Sequence, residues 1–222
     1  MKIFKLWTII IGLTLIGCNQ FKQRSSQTKT QTKRLMSDSK DKDKEEIKKL
    51  IREVLNWADS KTYIDLLPMI TDSKDSIYLE FDLKKHKLNL LKFKEANLFS
   101  IEFLDNYDRI ILTLNKRLKN NDYEQWLVGY LPTFNFSADA NPWCLCQDVP
   151  FDKPNPWDLI EIETISLEDG KGEFNWKWGK LEQNTDSEWK KFEYRFRVVK
   201  ENSTWKISYL QGFDFNASIR KD

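Results

Sequence analysis

Two thiols, Cys144 and Cys146, have the spacing in this 222-residue sequence that could most directly support chemistry. In an extended segment the side chains at i and i+2 share a face, so a bridge can form, although its small ring departs from relaxed disulfide geometry. A strained bridge would be reducible, which suggests a redox or metal site. A metal needs further ligands, and the only histidine, His86, lies in a lysine-rich stretch without ligand spacing. Two small buried side chains or a structural bridge is the favoured interpretation, and we expect no metal or cofactor.

Acid and base candidates lie in the same part of the chain. Asp139, Asp148 and Asp152 offer carboxylates and Tyr130 offers a hydroxyl, the groups that a proton-transfer site needs inside an apolar pocket. Asp148 precedes Val-Pro, where an Asx-type turn would use its carboxylate to bind backbone N–H groups instead. That structural role is the favoured one. The sequence has no phosphate loop, dinucleotide fingerprint or nucleophile elbow around Ser100.

Residues 141–157 form the segment that holds most of these groups. It begins and ends with Asn-Pro-Trp and contains four of the six prolines of the chain. Each proline removes a backbone donor and restrains the residue before it, so this density predicts a structured loop rather than a helix or a central strand. Trp143 and Trp157 at its ends are expected to hold it by packing, as a lid over an open sheet.

The elements that must position this loop begin with a sheet. Apolar and polar residues alternate in four runs after residue 157, and the turn signals between the runs predict an antiparallel meander. Trp176, Tyr194 and Tyr209 lie on its predicted inner face, where they either pack as core or line a cavity. Residues 126–136 alternate as well and predict one more strand.

Two amphipathic helices are predicted before the sheet and would cover its aromatic face. Apolar residues at helical spacing mark residues 47–55 and residues 99–118. Residues 66–70 predict a short helix or a turn. Residues 72–87 are open, because residues 77–81 fit a brief strand and residues 78–83 fit one face of a helix.

The first 17 residues have the order of an export signal, with Lys2 and Lys5 before an apolar run. The run ends in Leu-Ile-Gly followed by Cys18, which matches the lipobox of bacterial lipoproteins and predicts acylation of Cys18 after cleavage of residues 1–17. By the same resemblance, Asn19 favours delivery to the outer membrane, facing the periplasm, in a cell with two membranes.

Residues 18–40 are rich in Gln, Ser, Thr and Lys and predict a flexible, lipidated tether. Residues 41–222 then suit a single domain. The mature chain is formally neutral, and because the tether is basic, residues 35–222 carry a net charge near −5. No basic face recurs in the domain, so we expect no nucleic-acid partner.

Helices followed by an antiparallel sheet predict an α+β fold. The chain resembles the cystatin-like cone of nuclear transport factor two and ketosteroid isomerase, and in particular uncharacterised bacterial lipoproteins of that fold. The resemblance rests on a helix at residues 98–107, Asp-Ala-Asn-Pro at 139–142, Gln-Asp-Val-Pro at 147–150, and the closing Trp-Lys-Ile at 205–207 with Gly-Phe at 212–213.

This superfamily includes enzymes, pocket binders and protein-binding modules, so the resemblance does not choose among them. The leading hypothesis is a non-catalytic module, held at the membrane of the cell envelope by its N-terminal lipid, that binds an envelope protein or a small apolar ligand. One alternative is a ketosteroid isomerase-like enzyme with Asp148 or Asp139 as base and Tyr130 as donor. Another is a thiol-redox role for Cys144 and Cys146.

Overall fold

A computed structural model describes residues 19–60, 64–151 and 153–221, with side chains from residue 39 onward. The predicted signal segment and Cys18 therefore lie outside the described residues. In chain order the elements are α1 (Asn19–Asp59), β1 (Met69–Thr71), β2 (Tyr78–Phe81), α2 (Leu83–Ala96), α3 (Ile101–Lys119), β3 (Glu161–Glu168), β4 (Lys171–Lys177), α4 (Ser187–Lys191), β5 (Tyr194–Glu201), β6 (Thr204–Leu210) and α5 (Phe215–Ser218). The fold is α+β, as the order of the sequence patterns predicts.

The predicted meander is confirmed as a four-stranded antiparallel sheet in the order β3-β4-β5-β6. Its two tight turns have the backbone that hairpins of this length require. Asp169 and Gly170 have φ of 48° and 74°, and Asn202 and Ser203 have φ of 49° and 67°. Two consecutive residues with positive φ match the right-handed twist of the flanking strands, which is why Asp-Gly and Asn-rich pairs mark such turns in the sequence.

The buried face of the sheet is built from aromatic pairs that lie directly opposite each other on β4 and β5. Phe174 faces Phe196 and Trp176 faces Tyr194. The rings of each pair are stacked, with centroids 5.3 Å and 5.4 Å apart, and all four side chains are fully buried. Such cross-strand pairs stabilise the sheet and fix its register.

Tyr209 does not share that buried face, so its predicted place is wrong. The register shifts where Arg197 pairs with Tyr209 and Val198 pairs with Ile207, which leaves Ser208 as an extra residue on β6. A bulge of one residue moves every later side chain to the other face. Tyr209 therefore lies half-buried on the outer face, where the guanidinium of Arg197 sits 4.3 Å from the centre of its ring.

The helices include one that the sequence patterns did not predict. The apolar stripes at residues 47–55 and 99–118 are confirmed in α1 and α3. Helix α2 lies between them, begins after Asp82, whose carboxylate accepts from the N–H groups of Lys84 and Lys85, and ends at Asn97 in the left-handed conformation. Asp at the N-cap and Asn at the C-cap are sequence signals that could have located it.

Two short strands show the structure of the segments that the sequence left open. Residues 69–71 form β1 rather than a short helix, and residues 78–81 form the brief strand β2, which pairs with β1. The predicted strand at residues 126–136 is wrong. The segment pairs only at isolated points. Near its start Tyr78 N–H donates to Trp126 C=O at 3.0 Å and Val128 N–H to Ser76 C=O at 3.1 Å, and near its end Asn135 N–H donates to Arg220 C=O at 3.1 Å, with turns between.

The chain divides into two units, residues 1–42 and residues 43–222. Within the first, the structure assigns helical backbone from Asn19 onward, and the interpretation of residues 18–40 as a flexible, lipidated tether stays a prediction. Lys, Arg and Gln are good helix formers even where no apolar face exists. Among the described residues, no helix has the length and apolar character that crossing a bilayer requires.

Candidate functional site

The two Asn-Pro-Trp tripeptides of residues 141–157 adopt the same local turn. The side-chain oxygen of Asn141 accepts from the N–H of Trp143 at 3.1 Å, and that of Asn155 accepts from the N–H of Trp157 at 3.0 Å. Proline between them has no N–H and a fixed φ, which favours this turn. The repeated tripeptide in the sequence thus forms the same turn twice, and each turn directs its indole away from solvent.

Both indoles are buried in the core, which confirms that the loop is held by packing at its two ends. Trp143 contacts the rings of Trp57 and Phe213, with centroids 5.8 Å and 4.8 Å away. Trp157 packs on Trp178 at 5.4 Å, and its Nε1 donates to Asp59 of α1 at 3.2 Å. The loop is therefore anchored to the helices as well as the sheet.

A buried hydroxyl ties the same loop to the sheet. Tyr194 donates to the carbonyl of Pro142 at 2.8 Å and accepts from the N–H of Gly212 at 3.1 Å. Burial raises the pKa of Tyr194 far above its usual value. A Cβ on Gly212 would lie only 2.0 Å from the Pro142 oxygen, so glycine is needed for this approach. Tyr194 and Trp176 are thus core residues, which decides between the two alternatives that the sequence left open for them.

The two loop thiols form a disulfide between Cys144 and Cys146. The bridge closes a tight turn in which the Asn141 carbonyl accepts from the N–H of Leu145 at 2.6 Å, and Leu145 has a positive φ of 50°. Cys144 is buried and Cys146 is partly exposed. The arrangement fits the structural bridge that the sequence favoured. The groups of three or more His, Cys, Asp or Glu that a metal ion needs are absent from the described residues.

One side of the loop forms a wall of a cleft of about 630 Å³. The other walls come from the end of α1, from residues 64–69, and from Tyr78 and Trp126 where β2 meets the chain after α3. Its lining residues are Trp57, Ala58, Ile64, Asp65, Leu66, Leu67, Met69, Tyr78, Trp126, Pro132, Ser137, Ala138, Asp139, Ala140, Asn141, Pro142, Trp143, Cys146 and Gln147. The loop is therefore a side wall of a cleft and not the predicted lid over the sheet.

Four aromatic side chains give this cleft its character. Tyr78 and Trp126 have ring centroids 4.3 Å apart with planes at 49°, and Trp57 meets Trp143 edge-on. The Nε1 of Trp126 already donates to the Tyr130 carbonyl at 2.9 Å. Trp126 and Trp143 are buried, so the half-buried Tyr78 and Trp57 offer most of the ring surface that a ligand can reach.

The charged groups of the cleft are two carboxylates, and its described lining residues include no Lys or Arg. One oxygen of Asp65 accepts from the N–H of Leu67 at 3.1 Å, which fixes its position. Asp139 is exposed, and no described residue makes a hydrogen bond or ion pair with its carboxylate. The cleft is thus aromatic and negatively charged.

Comparison with protein-family models, curated proteins and solved structures finds no match to this chain. The resemblance to the cystatin-like cone stays a prediction.

The sequence predicted part of this cleft and missed part of it. Three predicted residues, Asp139, Trp143 and Cys146, line it. Trp57 continues the apolar stripe of α1 one turn beyond residue 54, so helical spacing could have located it. The sequence carries no comparable signal for Asp65 or Tyr78, which meet the loop only in the folded chain.

The other proposed acid and base groups do not reach the cleft. Tyr130 is 71% exposed, and Asp148 is exposed and accepts from the N–H of Val149 at 2.9 Å. Asp152 lies outside the described residues. The structure therefore does not bring Tyr130 or Asp148 into the cleft beside Asp139, and the proton-transfer alternative stays a prediction. Ser100 has a structural role as well, since its hydroxyl accepts from the N–H of Phe103 at the start of α3.

A buried pair away from the cleft was also missed. His86 of α2 is 1% exposed, and its Nε2 lies 2.8 Å from the Asp108 carboxylate of α3. Burial lowers the pKa of His86, and Asp108 offsets this only in part. Its Nδ1 is buried and has no partner among the described residues. The sequence gives no signal for this pair, because His86 and Asp108 lie on different helices.

A second groove, of about 770 Å³, runs along α3 and is larger than the cleft. It lies between charged side chains such as Asp105, Arg109 and Lys116, and it has a single apolar lining residue, Leu112. Charges of both signs and no aromatic ring are typical of a solvated helix surface. The cleft beside the loop is therefore the better candidate site.

Proposed function

We propose that this protein is a membrane-anchored module of the cell envelope that binds a small ligand in the aromatic cleft and does not act on it chemically. Its lipid would be attached at Cys18, and it would face the periplasm from the outer membrane in a cell with two membranes. The N-terminal lipobox supports the anchor, and the chemistry of the lining supports the binding role.

The observation that carries the proposal is the cleft itself, with Trp57, Tyr78, Trp126 and Trp143 in its walls. Ring surface in a concave site favours a ligand with an apolar body, while a few polar groups orient it. A catalytic role would need an acid and a base in reach of one ligand. Asp139 is there without the predicted partner Tyr130, which favours binding over catalysis.

The cleft also favours one version of the binding hypothesis over the other. An envelope protein would be expected to contact a broad surface, whereas about 630 Å³ matches the volume of small-molecule sites. The α+β order and the antiparallel meander are consistent with the cone-like fold that the sequence predicts.

Ala140 gives a direct test because it lies in the cleft wall and is only partly exposed. Saturation-transfer NMR with cyclohexanol, a neutral, soluble, apolar probe, would be recorded on the full lipidated chain in dodecyl maltoside. We expect transfer to the native protein and its loss in Ala140→Trp, where the indole fills the cleft. Ala217→Trp, on exposed α5, is the matched control and should bind like the native chain.

The proposal is wrong if the native protein shows no transfer above that of empty micelles. It is equally wrong if Ala140→Trp and Ala217→Trp show the same transfer, because the probe would then bind somewhere other than the cleft. Circular dichroism of both variants checks that they are folded.

A further inference from the structure

We infer that the cleft selects a ligand that carries an alkylated ammonium group, such as a quaternary ammonium, on a compact apolar body. This inference rests on the proposed function, since it names the chemical class that the same cleft binds. It follows from which groups line the cleft and which are missing from the described lining.

The aromatic walls of the cleft can attract a cation. The face of an indole or phenol ring carries negative electrostatic potential and attracts a cation within about 6 Å of the ring centre. Tyr78 packs on Trp126 and Trp57 packs on Trp143, and Tyr78 and Trp57 are half-buried whereas Trp126 and Trp143 are only 4% and 7% exposed. Tyr78 and Trp57 are therefore the rings whose surface a cation in the cleft can contact.

The carboxylates of the cleft also attract a cation. Asp65 and Asp139 give the cleft negative charge, and no Lys or Arg among its described lining residues neutralises them. Asp65 keeps one carboxylate oxygen beyond the one that binds the N–H of Leu67. An anionic ligand would be repelled by both groups, and a neutral one would leave the exposed Asp139 without an opposite charge.

The aromatic walls also bear on the type of cation that the cleft would bind. A bare metal ion needs several oxygen ligands at about 2 to 2.6 Å, and the described residues contain no cluster of that kind. A primary ammonium needs three hydrogen-bond acceptors converging on one nitrogen. Alkyl groups on the nitrogen need no hydrogen-bond acceptors. Ring surfaces contact these groups directly, and carboxylates attract the positive charge at longer range.

Choline and 3,3-dimethylbutan-1-ol form the matched probe pair. The alcohol replaces the charged nitrogen by carbon and keeps the shape. Isothermal titration calorimetry would be performed on the full lipidated chain in dodecyl maltoside, which carries no charge and no ammonium group. We expect choline to bind at least about 10-fold more tightly than the alcohol, since ring and carboxylate attraction act on the cation alone.

Two substitutions test whether residues of the cleft cause the preference for choline over the alcohol. Tyr78→Leu keeps apolar bulk but removes ring potential, and Asp139→Asn removes one charge with little change of shape. Each should weaken choline binding by about 3- to 10-fold and leave binding of the alcohol within about 2-fold. Asp148→Asn, an exposed carboxylate outside the lining, should bind choline like the native chain.

The outcomes separate this inference from the proposed function. Equal affinity for the two probes, or choline affinity that is unchanged in both variants, overturns the ammonium selectivity and leaves cleft binding of cyclohexanol intact. Absence of binding by all three probes overturns both. Choline selectivity that Tyr78→Leu and Asp139→Asn both reduce supports both.

Discussion

The hydroxyl of Tyr194, on the buried face of the sheet, donates to the carbonyl of Pro142 at 2.8 Å. This bond joins strand β5 to the loop that forms one wall of the cleft. Pro142 and its neighbour Trp143 both line the cleft. The sheet therefore positions the site through a buried hydrogen bond, although Tyr194 is not part of the lining.

Removing this hydroxyl should loosen the loop. Tyr194→Phe leaves the Pro142 carbonyl and the Gly212 N–H without their buried partner, so we expect the free energy of unfolding to fall by about 1 to 3 kcal/mol. Urea denaturation followed by tryptophan fluorescence measures the change. Tyr209→Phe is the matched control. Its hydroxyl is half-buried and lies 3.4 Å from Asp214, so its loss should cost less than about 0.5 kcal/mol. Equal losses in the two variants would contradict the role given to Tyr194.

His86 should make stability depend on pH in a defined window. Its pKa in the folded protein is lowered from the usual 6.5, because burial disfavours the charged ring. Below pH 6.5 the unfolded chain therefore binds a proton that the folded protein does not. The stability from neutral His86 is fully present above pH 6.5 and is lost as the pH falls, with a slope no steeper than about 1.4 kcal/mol per pH unit.

His86→Gln isolates this effect, because its amide can still donate to Asp108 but does not titrate. Urea unfolding between pH 7.5 and 5 should show a smaller loss of stability in the variant than in the native chain. The lowered pKa values of Asp72 and Asp82 start from 3.8, so their contributions are lost only at lower pH. Parallel curves for both proteins would show that His86 is not held neutral.

The disulfide should stabilise the loop modestly. It closes a ring of only three residues, and the chain-entropy model gives about 2 kcal/mol for so short a loop. Dithiothreitol should therefore lower the unfolding free energy of the native chain by about that amount and weaken cyclohexanol binding, since Cys146 lines the cleft. The double variant Cys144→Ala with Cys146→Ala should not respond to the reductant. An unchanged native protein in fully reducing buffer would rule out a structural role for the bridge.

The lipid anchor is testable independently of the cleft. Cys18→Ser removes the thiol that would be acylated, so we expect the protein to move from the membrane fraction to the soluble fraction of a bacterial expression host. Immunoblotting of the two fractions measures this. Cys146→Ser, which keeps the lipobox intact, should stay with the membrane. A Cys18→Ser protein that remains membrane-bound at the native level would refute anchoring through that residue.

Local patterns were enough to predict the elements whose structure depends on neighbours in the sequence. Alternation after residue 157 predicted four strands and their antiparallel order, and the Asp-Gly and Asn-Ser pairs predicted the turns, because side-chain period and φ preference are local properties. Proline density likewise predicted the loop at residues 141–157. The predicted strand at residues 126–136 failed because alternation there is not matched by partner strands along its length.

Tertiary structure decided where the site lies. The bulge at Ser208 turned Tyr209 outward, although the alternation around it is unbroken in the sequence. Asp65 and Tyr78 joined Asp139 in one cleft across 13 to 74 residues of chain, a meeting that depends on packing between α1, β2 and the loop. The sequence by itself determined the α+β order, the aromatic face and the lipobox. The cleft and its negative charge arise only when distant segments fold together, because no local pattern encodes that contact.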